Sequence, residues 1–235
     1  MNAVFTMWQN DLVALDLWLK YYSKYFDRML VLLNGTKGEY HAFLDERKKE
    51  YMMDYIVLPE FVGDAGVARG VVDKYQRELL KSNKWVLYTN CDEIIATKPS
   101  VYKNLKYLMY ICKQEWVACE GYEIVQTEGD APLDYSKPIM PQRKHWIKNF
   151  NMNKIVLSRI PLEWNEGQHQ ITGIVNEDSK SIADTGLYLI HLKHADLTPI
   201  QPRDFGPMTT STNDYVMTQI KEALLEIPDW VNDLI

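Results

Sequence analysis

Apolar positions in the N-terminal part of the chain alternate between two rhythms. "AVFTMW" (3–8) is a short apolar run, and "DLVALDLWLKYYSKYF" (11–26) carries Leu12, Leu15, Leu19 and Tyr22 at helical spacing. Asn10 or Asp11 can cap that helix, because a short polar side chain accepts from the free amides of the first turn. "RMLVLLN" (28–34) is continuously apolar, as in a strand covered on both faces. After the turn "GTKGEY" come a charged helix (41–52), a third strand "DYIVLPE" (54–60) and a helix over 67–83 with Val71, Tyr75 and Leu79 on one face. "KWVLYTN" (84–90) is a fourth strand. Strand and helix in strict alternation predict a single α/β domain with a mostly parallel central sheet flanked by helices.

In such a sheet, ligands gather at the carboxyl ends of the strands. The polar residues fall there: Asn10 and Asp11, then Asn34, then Glu60, then Asn90 to Glu93. The fourth end, "YTNCDEII", sets two adjacent carboxylates between apolar runs, as expected where packing holds acids at a fixed point.

The second half is less regular. "WVACEGYEIVQ" (116–126) and "GLYLIHLKH" (186–194) read as strands, 129–144 as a Pro- and Gly-rich loop, 198–207 as a linker, and 213–231 as an amphipathic helix interrupted near Pro228. The expected organisation is a domain over 1–197, with 198–235 a linker and C-terminal helix that packs on the domain or leads to a further one.

Composition narrows the function classes. Hydrophobic residues are 46% and charged residues 25%, which is globular rather than disordered. A net charge of −6 without a basic stripe argues against nucleic acid as a partner. The 3 cysteines, Cys91, Cys112 and Cys119, lack paired CxxC spacing, so neither a zinc site nor a disulfide framework is expected. The opening "MNAVFTMWQND" has no basic start and no apolar run of signal length, and no later run reaches bilayer length. The expectation is a soluble, cytoplasmic chain without signal peptide or transmembrane segment, unless it was cut from a longer protein.

"KWVLYTNCDEII" resembles the metal-binding segment of GT-A fold glycosyltransferases. More narrowly, it resembles their family 2-like group, in which an apolar strand leads into Asp-x-Asp-Glu and then an apolar pair. "WQNDLVALDLWLKYYSKYFDRMLVLLN" is similar to that group's opening, and "PLEWNEGQHQI" and "LYLIHLKHAD" to its later His-containing segments. The likeness spans roughly residues 3–196. It departs from the pattern at Asn90, where the group has the first Asp, and at Asp11, where it has Glu.

The resemblance implies a metal-dependent transfer of a sugar from a nucleotide-diphosphate donor, a UDP- or GDP-sugar, to a hydroxyl of a glycan or glycoprotein. Asp92 would ligate Mn2+ or Mg2+, and Asn90 would help seat the donor. His191 is the favoured second ligand and His194 the alternative. Residues three apart on a regular strand point to opposite faces, so only one of the two faces the site unless the strand ends between them. Asn10, Asp11 and Asn34 would contact base and ribose. Trp8 either stacks on the base or packs. Arg69 and Lys74 could reach phosphate, although Arg69, Asp73 and Arg77 at successive i+4 positions equally suit a surface charge ladder.

Inversion at the sugar needs a general base near the acceptor hydroxyl. Glu166 is the candidate and His169 the alternative; Gly167 would allow close approach and Trp164 would offer a stacking face. Two other classes stay open: a non-catalytic binding module, with Asn90 marking lost chemistry, and a metal-dependent hydrolase, which would carry more acids and histidines at the early strand ends.

Overall fold

The computed structural model of the chain describes residues 1–35, 38–59, 62–164, 185–193, 195–196 and 224–235. β1 (Asn2–Trp8), α1 (Leu12–Tyr22), β2 (Arg28–Leu33), α2 (Gly38–Glu50), β3 (Met53–Val57), α3 (Ala65–Leu80) and β4 (Trp85–Tyr88) follow the expected alternation. β1 pairs in parallel with both β2 and β4, and β2 with β3. The chain therefore steps outward from β1 to β2 to β3, then returns to lay β4 on the other side of β1. That reversal is a topological switch point. It opens a crevice beyond the carboxyl ends of β1 and β4, where sheets of this kind bind ligands.

Beyond β4 the sheet turns antiparallel. β8 (Lys154–Ser158) pairs with β4 and with the first part of β6 (Trp116–Val125). The later part of β6 pairs with β7 (His145–Lys148), which carries β10 (Leu225–Glu226). β5 (Glu93–Thr97) leaves β4 and pairs antiparallel with β9 (Leu187–His191), and β9 lies parallel to β6. Glu93 and Glu123 thus both stand opposite His191 in register.

The core lies on both faces of the sheet, because successive strand residues point opposite ways. Val4 and Trp8 of β1 join Leu15, Trp18, Leu19 and Tyr22 of α1, Leu44 of α2 and Leu105 of α4 (Leu105–Ile111) on one face. Ala3 and Phe5 join Val72 and Leu79 of α3 on the other. The buried stripe of α3 is Val72, Gln76 and Leu79, one position round from the expected Val71 and Tyr75. Gln76 is the reason. It is fully buried, its amide donates to Ser158 Oγ at 2.8 Å, and its oxygen accepts from Leu162 N at 2.8 Å. A satisfied buried amide is invisible to a hydrophobic pattern.

The helix expected over 213–231 is corrected where it is described. Residues 213–223 lie outside the described residues. Residues 224–231 hold β10 and a 3-10 turn, Asp229–Val231, which sets Trp230 5.6 Å from the Tyr188 ring. Pro228, with no N–H and a restricted preceding residue, breaks the helical course. No helix among the described residues is long and apolar enough to cross a membrane.

Candidate functional site

The adjacent acids at the end of β4 have different surroundings. Glu93 is fully buried and holds Lys154 Nζ at 2.6 and 2.8 Å. Its carboxylate also accepts from Asn90 N at 2.9 Å and from Asn90 Nδ2 at 3.0 Å, while Glu93 N donates to Asn90 O at 3.1 Å. The four-residue turn is closed from within, and buried Lys154 balances its charge. Asn90 Oδ1 accepts from Tyr88 OH at 3.2 Å. Asn90 therefore braces the turn with both ends of its amide, which departs from the expectation that it seats the donor. An aspartate there would set a second carboxylate against Glu93.

Asp92, on the tip of that turn, keeps 19% of its side chain exposed. Leu192 N donates to its carbonyl at 2.9 Å, and its Oδ2 lies 3.2 Å from His191 Nε2. His191 ends β9, 8% exposed, with Nδ1 at 2.9 and 2.8 Å from the two oxygens of Glu123. Burial pulls the His191 pKa down, but the Glu123 and Asp92 carboxylates outweigh it and hold the imidazole well above its ordinary value.

The other expected residues divide. Asp11 is the N-cap of α1: its Oδ1 accepts from Ala14 N at 2.8 Å. The thiol of Cys91 is pushed up by burial foremost, and then by the charges of Asp92, Asp11 and Glu93. β1 and β4 pair in parallel, with Thr89 N donating to Phe5 O at 3.3 Å, so the two strand ends lie side by side. Asn10 is half-buried next to Asp11. Asn34 is 4% exposed and clamps the segment before α3, donating to Val62 O at 2.9 Å and accepting from Val62 N at 2.8 Å. Its side chain is spent on the fold rather than offered to a ribose.

Trp8 is a core residue. It is 2% exposed, its ring centroid is 4.9 Å from that of Tyr40, and its Nε1 donates to Asp11 O at 2.8 Å. A base finds no face of it to stack on. Trp164 is likewise 2% exposed and lies 5.9 Å from Tyr88, so it fills the core instead of offering a sugar platform. Arg69 is half-buried near the start of α3 and, with Arg77, counters the burial that raises the Asp73 carboxyl. Arg77 also pairs with Glu163 at 2.9 Å, which is the charge-ladder arrangement carried further. Glu60, Glu166, His169 and His194 lie outside the described residues.

Glu123 is the residue that sequence reasoning missed. A signal existed: Glu120 and Glu123 interrupt an otherwise apolar strand, and a buried carboxylate needs a partner. Both are found paired, Glu120 with Lys148 at 3.0 Å and Glu123 with His191.

Asp92 and His191 are residue types that could ligate a divalent ion. Two neighbouring ligands of an octahedral ion, each at about 2.1 Å, stand about 3.0 Å apart. The Asp92–His191 separation of 3.2 Å is close to that spacing and is equally the length of the hydrogen bond between the two side chains. Among the described residues no three or more His, Cys, Asp or Glu gather as a metal site. Were a divalent ion bound there, Asp92 and His191 could supply two ligands, and the other positions would fall to diphosphate oxygens and water.

No protein-family model matches the chain, and no curated protein matches it in sequence. Among solved structures it is similar to S. aureus TarS 1-349 in complex with UDP-GlcNAc, with TM-score 0.41 and 12% identity, covering 99% of this chain and 70% of that one. Another TarS 1-349 structure gives TM-score 0.36 and 13% identity over 65% of this chain and 43% of that one. HddC from Yersinia pseudotuberculosis gives TM-score 0.34 and 12% identity over 82% of this chain and 90% of that one. Against the first TarS structures the chain spans less than half their length, 43% of one and 26% of another. Likeness at this level adds nothing to what the chain's own geometry supports.

Proposed function

We propose that this chain is a transferase using a nucleotide-sugar donor, of the GT-A type and resembling the family 2-like group, that moves a hexose to a hydroxyl of a glycan or glycoprotein. The observation that carries the proposal is the Asp92–His191 pair, 3.2 Å apart beside the switch-point crevice. Asp92 and His191 would hold Mn2+ or Mg2+, whose chemistry is to neutralise the diphosphate as it leaves the sugar.

The chain's own residues then do the following. Asp92 reaches the crevice from a turn that Lys154, Glu93 and Asn90 keep rigid. Asn10 and Asp11 flank the nucleotide from the end of β1, and Arg69 supplies charge toward phosphate from the first turns of α3. Glu166 remains the candidate to take the acceptor's proton, with His169 as alternative, and His194 the alternative ligand.

The test is thermal shift and calorimetry with UDP- and GDP-sugars, with and without Mn2+. UDP and UDP-GlcNAc, present in the TarS complexes, are the first probes. Donor binding that requires the metal is expected, together with slow donor hydrolysis or transfer. No binding of any donor with either metal would remove the proposal. Binding with no turnover toward any acceptor or water would instead make the chain a binding module.

A further inference from the structure

We infer that Glu123 is a positioning residue for His191, accepting the Nδ1 proton and holding the ring so that Nε2 faces Asp92, where a bound cation would replace the Nε2 proton. The inference rests on the metal reading given above and assigns a role to a residue outside the ligand pair. An imidazole presents one nitrogen as donor and the other as acceptor, and the partner of the first decides which is which. Here the partner is fixed by backbone pairing: Glu123 and His191 sit in register on parallel β6 and β9. Both Glu123 oxygens lie within 2.9 Å of Nδ1, and the residue is 2% exposed, so water does not compete for the bond.

Glu123 is itself held. Asn149 Nδ2 donates to its Oε1 at 3.0 Å. Asn149 is 6% exposed, its N donates to Gly121 O at 2.9 Å, and its Oδ1 accepts from Asn151 N at 3.0 Å. This turn can lie against β6 because residue 121 is glycine. A Cβ there would come within 2.3 Å of Met152 Cβ and 2.6 Å of Asn149 O. The order of support runs from Gly121 to Asn149 to Glu123 to His191. A carboxylate that only balanced charge would not need Asn149 to set its plane.

The test compares the wild type with Glu123→Gln and Asn149→Ala, reading Mn2+ affinity in the presence of UDP by calorimetry. Glu123→Gln keeps the shape and an oxygen for Nδ1 but loses the charge. It is expected to weaken Mn2+ by about 10- to 100-fold, the usual cost of losing a partner behind a metal ligand. Asn149→Ala is expected to weaken it several-fold. Wild-type affinity in a folded Glu123→Gln variant overturns the inference. If that variant does not fold, wild-type affinity in Asn149→Ala overturns it.

A wild type that binds no Mn2+ with UDP defeats the proposed function instead. The inference is then judged on metal-free protein by nitrogen NMR of the His191 ring, with the pH raised until the ring has lost one of its two protons. A neutral imidazole carrying its proton on Nδ1 supports the orientation, and one carrying it on Nε2 overturns it.

Discussion

The two halves of the sheet use polar residues in opposite ways. In the parallel half, β3-β2-β1-β4, the polar strand ends mostly serve the fold: Asp11 caps α1, Asn34 clamps Val62, and Asn90 braces the turn on Glu93. In the antiparallel half, polar side chains are embedded within strands and point at one another, as Glu123 does at His191 and Glu120 at Lys148. The two halves meet at a seam where Asp92 from the first lies against His191 from the second, the pair on which the proposed function rests. A parallel α/β sheet therefore marks out the place of a site, and strands added later in the chain supply partners for it.

The largest expected effect falls on the lock that joins the halves. Lys154→Met leaves Glu93 buried without its cation and is expected to cost about 3–5 kcal/mol in denaturant unfolding. Adding Glu93→Leu to that variant is expected to recover most of the loss, because a buried pair replaced by apolar residues is close to neutral. A Lys154→Met variant as stable as wild type would show that the seam does not depend on that pair.

Asp92→Ala comes next. It should lower Mn2+-dependent UDP affinity by more than the roughly 100-fold that marks the upper range for residues behind a ligand. Its unfolding free energy should stay within about 1 kcal/mol of wild type, as for a residue outside the core. A variant that still binds UDP with metal would place the site away from the seam.

Asn34→Ala sharpens the comparison from the parallel side. It removes two hydrogen bonds to Val62, at about 1 kcal/mol each, and is expected to reduce stability by about 2 kcal/mol with donor affinity unchanged. Loss of donor affinity without loss of stability would restore Asn34 to the nucleotide contacts.

Asp11 separates two jobs. Asp11→Ala should cost about 1 kcal/mol through the lost cap, whereas Asp11→Asn keeps the cap and should cost little. Donor affinity that falls in Asp11→Asn would measure the carboxylate's charge at the nucleotide; equal affinity would leave Asp11 a cap alone.

The smallest effect is in thiol labelling at pH 8. Half-buried Cys112 should react first by mass spectrometry. Cys119, buried and with its thiol pushed up to about 12, should lag, and so should Cys91, half-buried like Cys112 but with its thiol raised by burial and by the nearby carboxylates. Rapid modification of Cys91 would show that the end of β4 is more open than its surroundings imply.

These contrasts explain what could be read from the residues alone. β1 through β4 with their helices were legible because β2 and β4 carry continuous apolar runs, β1 and β3 are short mainly apolar segments between turn residues, and α1 has a single clean stripe. β5, β7, β8 and α4 were not. β5 opens on the buried acid Glu93 and β8 on the buried base Lys154, so each looks like a strand end or a loop until the other is in view. β7 is only 4 residues long and begins and ends on His145 and Lys148.

The site was legible by half in the same sense. Asp92 and His191 stood out as polar residues beside apolar runs, whereas Glu123 acquires meaning only through pairing across 68 residues of chain. Trp8 and Trp164 went the other way, since an aromatic side chain gives no sign of whether it will fill a core or face a ligand.

The β5–β9 ladder carries one last consequence. It fixes the gap between Asp92 and His191 by strand alignment: residue 93 sits across from residue 191, and Leu192 N is tied to Asp92 O. A slip of one place would swap the imidazole for Ile190 and erase the grip altogether. Such a gap is set digitally, so changes in the surrounding loops can leave it untouched.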